Sequence, residues 1–355
     1  MKKKDNTMLW TTGIGIAGSS IIDLIQQHSE LKEKGAEFSI DNIDWKRTGI
    51  SALKGAALGF ATGAIIKLID DEDEEFYPSQ YLNKVLRLHS LKHNPEVLAS
   101  AIQKRNKIKD FLSTHFQGQL VGSPLNWGSY AHGTANSSNF DLDIIVPFGR
   151  NIGTLDAMYN NVYNAMKSHY NDRDVRLIRK QNKSIGIKYN FNNEEIFIDV
   201  VPGREINNYR IDKELKLYVA AGANGQSGSI KTNTQSHKEE ITGLGDEKKL
   251  TRLIKVWRDH HGLNFKSIAI RNMVINAFGE KCYSIPYDIY GKLDMVLHYI
   301  KNNIKTIRIV DSANSSNIIS DAMTAAEKQM IAEKIRYDLS MLSKDSQYLT
   351  KIFPL

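Results

Sequence analysis

At 355 residues, with 41% hydrophobic and 25% charged residues, the chain is long enough for about two domains and has the composition of an ordinary soluble globular protein. Its one cysteine, Cys282, excludes an internal disulfide framework and a thiolate zinc site, so a reducing, cytoplasmic setting is expected, with Cys282 a small buried hydrophobe. The net charge of +7 is uneven: nine Lys/Arg against thirteen Asp/Glu put the first 75 residues at −4 and leave +11 on the rest, a field that suits nucleotides or nucleic acid.

Residues 1–77 read as a helical appendage. Two Gly/Ala-rich apolar stretches, Met8–Ile25 and Thr48–Ile69, precede an acidic run at Asp70–Glu75 and then Pro78. Small residues three or four apart let two helices approach closely, which predicts a hairpin used for self-association through residues 1–75. Membrane association is the alternative, opposed by Asp23, Lys54 and Lys67, each costly inside hydrocarbon.

From Tyr81 to Phe116 apolar residues recur at helical spacing, with Pro95 suited to a first helical turn. "LDIIVPF" reads as a strand stopped by Pro147, and Thr154–Tyr170 as a helix. "VRLIRKQNKSIGIKYN" reads as two strands around a turn, and Glu195–Pro202 as a β-branched strand. Ala220–His237, rich in Gly, Ser and Asn, reads as a mobile loop. Gly245–Gly262 reads as a helix with an acidic start and a glycine end. Helical patterning then runs to the C-terminus, broken at Ile309–Asp321, and the aromatic residues there read as core. The expected organisation is an appendage (1–77), a mixed α+β core (78–240) and a helical C-terminal domain (241–355).

The chemistry concentrates in "NWGSYAHGTANSSNFDLDIIVPF", Asn126–Phe148. Asp141 and Asp143, two apart on a strand, project to one face while Leu142 points the other way. Carboxylates forced side by side repel unless a cation lies between them, and Mg²⁺ is the hard cation that takes carboxylate and phosphate oxygens together. Asp199, an acid in the apolar run "FIDVV", supplies the third carboxylate of a two-metal site. Gly128 and Ser129, at a turn, would bring backbone N–H groups and a hydroxyl to a triphosphate. This ordered set points to nucleotidyl transfer with loss of pyrophosphate. His132, His237, His260 and His261 show no zinc-site spacing. Tyr130, beside the phosphate turn, is the one aromatic considered for base stacking.

The stretch from Trp127 to Phe148 resembles the signature of polymerase-β-type nucleotidyltransferases. "FIDVVPGRE", "TNTQSH" and "LTRLIKVWRDHHGLNFKS" resemble one branch of them, the cGAS/DncV-like nucleotidyltransferases (CD-NTases) of bacterial anti-phage systems, relatives of oligoadenylate synthases. The resemblance covers roughly Tyr81–Leu355. It implies a mixed sheet flanked by helices plus a helical C-terminal domain closing the nucleotide pocket. It implies donor phosphates at Gly128 and Ser129, two Mg²⁺ (or Mn²⁺) at Asp141, Asp143 and Asp199, and Lys255 reaching the triphosphate. Ser267, Thr232, Asn233 and Asp311 would lie near the nucleotides. Ser312 stands where many members have Pro, and Arg271 where many have Glu, which bears on base preference. The implied substrates are nucleoside triphosphates, ATP among them, and the implied product is a cyclic oligonucleotide messenger read by a downstream effector. A linear oligonucleotide, or transfer onto an RNA or protein hydroxyl, would use the same residues. A nucleic-acid sensor without turnover is opposed by the presence of all three carboxylates.

Overall fold

Leu142, Ile144, Val146 and Phe148 alternate with Asp141, Asp143 and Ile145, and that alternation sets the architecture. In the computed structural model, which describes residues 30, 76–137, 140–170, 175–192, 194–221 and 227–355, they form strand β2 (Asp141–Phe148) of a mixed seven-stranded sheet. The expected N-terminal appendage, with its self-association and membrane alternatives, lies outside the described residues apart from Glu30, Phe76 and Tyr77. Residues Tyr77–Leu355 make one compact unit.

Helices α1 (Pro78–Leu88) and α2 (Pro95–His115) each begin on a proline, whose fixed φ suits a first turn and whose missing N–H is not needed there. The short β1 (Leu125–Trp127) and the one-turn helix α3 (Gly128–Ala131) lead to β2. Thr154 caps α4 (Leu155–His169) by accepting from the N–H of Ala157. Strands β3 (Val175–Lys180), β4 (Ile185–Phe191) and β5 (Glu194–Glu205) form a meander, and β5 then lies parallel to β2. The spatial order is β1-β2-β5-β4-β3.

One sheet face is apolar. Leu142, Ile144, Ile196, Ile198 and Val200 pack there against Ile108 and Leu112 of α2 and Met158, Val162 and Met166 of α4. Each such side chain contributes roughly 1.5–3 kcal/mol on burial. The other face carries a smaller cluster, Ile145, Val201, Leu215 and Leu217, and beyond it the carboxylates.

The expected loop at Ala220–His237 is corrected in part, its residues 222–226 lying outside the described set. A short helix α5 (Tyr209–Asp212) is followed by β6 (Glu214–Val219), which pairs antiparallel with β7 (Gly228–Asn233), and α6 (Ser236–Glu239) follows. Polar composition concealed a ladder whose Ile230 and Thr232 lie opposite Leu217 and Leu215. Pro147 does not stop β2 but lies within it. There β2 has run past β1, and the chain just before β1 gives only a Val121 N–H to the Pro147 carbonyl at 3.0 Å, a bond that asks no N–H of the proline.

The C-terminal part contains α7 (Asp246–His260), α8 (Ser267–Glu280), α9 (Ile289–Asn303), the hairpin β8 (Val310–Asp311)–β9 (Asn314–Ile318), α10 (Ala325–Leu342) and α11 (Leu349–Ile352). Helix α1 packs on α7 and α9, and the Tyr81 hydroxyl donates to the Phe353 carbonyl at 2.6 Å. Trp257 is core, its Nε1–H donating at 2.8 Å to the fully buried Asp338, whereas Tyr337 is 54% exposed. Cys282 is exposed rather than buried, because α8 ends at Glu280 and the chain turns outward there. Among the described residues no helix is long and apolar enough to cross a membrane.

Candidate active site

Backbone register brings the three carboxylates onto one surface. Asp143 of β2 lies directly opposite Asp199 of β5, and Asp141 is two residues up the same strand face. Trp127, just before α3, lies opposite Asp143 on the other side. The sheet therefore places the Gly-Ser turn and both acidic strands side by side.

Electrostatics shows how closely they are set. Burial, then the charges of Asp199 and Asp141, raises the Asp143 carboxyl from 3.8 to about 7. Burial and Asp199 raise Asp141 to about 6, with Lys255 and Arg179 pulling the other way. Asp199 is also raised, chiefly by burial and against a hydrogen bond from Ser184. Acids whose carboxyl pKa values are all pushed upward by burial and by one another form a surface that a divalent cation would relieve. Among the described residues no three His, Cys, Asp or Glu side chains close on one point as they stand. The donor set is nevertheless all hard oxygen on adjacent strands, and it suits an ion that keeps waters and substrate phosphates as its other ligands.

Gly128 sits against Asp143. Its φ is +66°, and a Cβ there would fall 1.7 Å from Asp143 Oδ2. No side chain fits, so glycine is dictated by both the backbone and the carboxylate. Ser129 follows in α3, and its carbonyl accepts from the Thr134 N–H at 2.9 Å. Lys255 reaches this turn from α7: it is buried, and its Nζ donates to the Thr134 carbonyl at 2.9 Å. Burial, then Arg258 and Arg252, lowers its pKa to about 8, while Asp259 and Asp141 oppose the shift. Asn136, next in the same loop, exchanges hydrogen bonds with Arg252. The structure thus brings Gly128, Ser129, Lys255, Asp141, Asp143 and Asp199 together.

The remaining candidates stand apart, committed to protein partners. Ser267 starts α8 and accepts from Arg258 Nη1 at 2.9 Å. Thr232 is buried on β7. Asn233 holds a turn, donating to the Asp212 carbonyl and accepting from the N–H groups of Gln235 and Ser236. Asp311 is buried, accepting from His237 at 2.8 Å, the Ala313 N–H and Asn317. Tyr130 packs against the core on the apolar sheet face, with the Arg105 guanidinium 5.3 Å from its ring centroid.

Sequence reasoning missed what holds Asp199. Ser184 Oγ lies 3.1 Å from Asp199 Oδ2 and 2.6 Å from Gln181 Oε1, so its single proton serves one at a time. Gln181 also donates to Asp199. Gly186, opposite Asp199 on β4, leaves room for the Gln181 side chain beside that carboxylate, since a Cβ there would meet Gln181 Nε2 at 2.3 Å. The Tyr159 hydroxyl braces the β3–β4 turn, 2.7 Å from the carbonyls of Gln181 and Ser184 and accepting from the Gln181 N–H at 2.9 Å. The only sequence trace was a glycine inside an alternating strand, a mark of close approach. Tyr159→Phe is expected to cost about 1–3 kcal/mol in urea unfolding and to lower turnover; unchanged values would show that the turn holds itself.

No protein-family model matches the chain, and no curated protein matches its sequence. Solved structures do match it. E. coli MS115-1 CdnC with ATP shares 16% identity at a TM-score of 0.60, over 79% of this chain and 99% of that one. Bradyrhizobium diazoefficiens CD-NTase CdnG in complex with GTP shares 12% at 0.61, over 78% and 95%. Elizabethkingia meningoseptica CdnE cyclic dinucleotide synthase with GTP and Apcpp shares 17% at 0.56, over 75% and 99%. The chain has the fold of these CD-NTases, a mixed sheet flanked by helices.

Proposed function

We propose that this chain is a template-independent nucleotidyltransferase that joins nucleoside triphosphates, ATP among them, into a cyclic oligonucleotide with release of pyrophosphate. One observation carries the reading: Asp141, Asp143 and Asp199 share a sheet face with Gly128 pressed against Asp143. The fold similarity to nucleotide-bound CD-NTases supports it.

Asp141, Asp143 and Asp199 would hold two Mg²⁺ ions, with Mn²⁺ as a substitute. Bound there, the ions would lower the pKa of an acceptor hydroxyl and neutralise charge on the departing pyrophosphate. The protein's own groups do the rest. The backbone of Gly128 and the Ser129 hydroxyl receive the donor phosphates, and Lys255 adds a positive charge beside them. Asp199, its pKa raised and its Oδ2 within reach of the Ser184 hydroxyl, would take the acceptor proton. The helical segment 241–355 closes the pocket over the nucleotides, while Ser267, Thr232, Asn233 and Asp311 keep the protein contacts described above. The product would act as a messenger for a separate effector in anti-phage defence.

The test is incubation of the full chain with each labelled NTP and dNTP, singly and mixed, with Mg²⁺ or Mn²⁺. Phosphatase-resistant small products support the cyclic reading. A phosphatase-sensitive ladder means linear synthesis, and label retained on protein or added RNA means transfer to a macromolecule. No incorporation under any condition contradicts the nucleotidyltransferase reading.

A further inference from the structure

Arg271 and His132 are charged or titratable, 6% and 8% exposed, and unused by the mechanism above. His132 follows α3: its N–H donates to the Gly128 carbonyl at 3.1 Å, so it closes the turn that starts at the phosphate-binding glycine. Its Nδ1 lies 3.3 Å from Arg271 Nη1 on α8. Arg271 Nη2 in turn pairs with Glu240, just past α6. On its other side His132 meets the Trp127 ring edge-on at 5.6 Å, and Trp127 stacks on His237 at 5.2 Å.

A guanidinium can only donate, so His132 Nδ1 presents its lone pair and the ring is neutral. A buried cation at that distance opposes a second charge on the imidazole, and burial works in the same direction. A single helical turn is too short to hold itself. At its front α3 rests on Asp143 through Gly128, and just beyond it Lys255 grips the Thr134 carbonyl. His132 fixes the end between those two points.

We infer that Arg271, anchored by Glu240, is a positioning residue that acts through neutral His132 to hold the phosphate-binding turn. The inference rests on the nucleotidyltransferase reading and goes beyond it. Arg271 touches no reacting atom; it sets where Gly128 and Ser129 sit and so governs how well the triphosphate is received. A basic residue on α8 thereby acts from the helical half on a turn belonging to the sheet.

Two near-isosteric amides test this in the full chain. His132→Asn puts a carbonyl oxygen where Nδ1 was and keeps an acceptor for Arg271, whereas His132→Gln reaches past that position. His132→Asn is expected to keep the NTP KM near wild type. His132→Gln and Arg271→Met should each raise it about tenfold, with kcat within about threefold. Equal KM for the two amides, in an active wild-type background, overturns the inference. A measurement without variants stands beside it: ¹⁵N NMR at neutral pH should show His132 Nδ1 unprotonated and Nε2 protonated. The opposite tautomer, or an imidazolium, overturns it as well. A wild type that incorporates no nucleotide would instead sink the functional reading and leave the NMR result to decide the pairing.

Discussion

Asp143→Asn is expected to abolish nucleotide incorporation while making the metal-free protein more stable. Folding raises Asp143 from 3.8 to about 7 and Asp141 to about 6. Between about pH 4 and 7 the folded protein therefore holds protons that the unfolded chain has released. Metal-free stability then falls as pH rises through that window, since the native state binds more protons. Replacing Asp143 with its neutral isostere removes a buried charge and relieves Asp141 and Asp199. The gain at neutral pH is on the order of 3 kcal/mol, and the pH dependence flattens. Incorporation should fall by roughly 10³-fold or more, equivalent to about 4 kcal/mol of transition-state stabilisation. Mg²⁺ should raise the melting temperature of the wild type and leave that of the variant unmoved. A variant destabilised in EDTA would show that the carboxylates do not repel as described. One that still turned over would remove Asp143 from the metal set.

Gly128→Ala has the next largest expected effect, and it acts in the opposite sense on stability. The new methyl would lie 1.7 Å from Asp143 Oδ2, and the backbone at φ +66° strains any residue with a Cβ. The left-handed conformation alone costs roughly 1–2 kcal/mol. Relieving the clash requires either Asp143 to rotate away or α3 to shift, and either displaces the site. Stability is expected to drop by about 2–4 kcal/mol in chemical unfolding, and incorporation by roughly 10²-fold, the scale for an ångström of misplacement. The double variant Gly128→Ala/Asp143→Gly should recover much of the stability but none of the activity. If the single variant kept full activity, the turn could not be seated against Asp143 as described.

The fold was legible where local pattern and tertiary role coincide. Pro95 opens α2, Thr154 caps α4, and Gly262 takes a positive φ after α7, as local rules require. The acid-x-acid spacing in β2 could be read because a period of two places both carboxylates on one face whatever the rest of the fold does. The β6–β7 ladder was hidden because polar strand residues beside a Gly/Ser-rich segment match a loop composition, and only pairing across the sheet makes them a strand. Cys282 was misjudged because residue type does not say where a helix ends.

At the site, the three carboxylates, Gly128, Ser129 and Lys255 were nameable and the fold collects them. Their supports were not. Tyr159, Gln181 and Ser184 act on Asp199 through a turn whose geometry depends on three strands and a helix. Arg271 and His132 are 139 residues apart, with Glu240 between them in the chain. Such partnerships leave no periodic trace in one sequence, whereas two acids alternating along a strand do.

The most direct test of the central claim is pyrophosphate release by the full chain given NTPs and Mg²⁺, set against Asp143→Asn and an EDTA control. The predicted result is metal-dependent pyrophosphate production matched by nucleotide incorporated, and absent in the variant. Pyrophosphate output equal in wild type and variant, or none from wild type with any NTP and either metal, would contradict the assignment of this carboxylate face to nucleotidyl transfer.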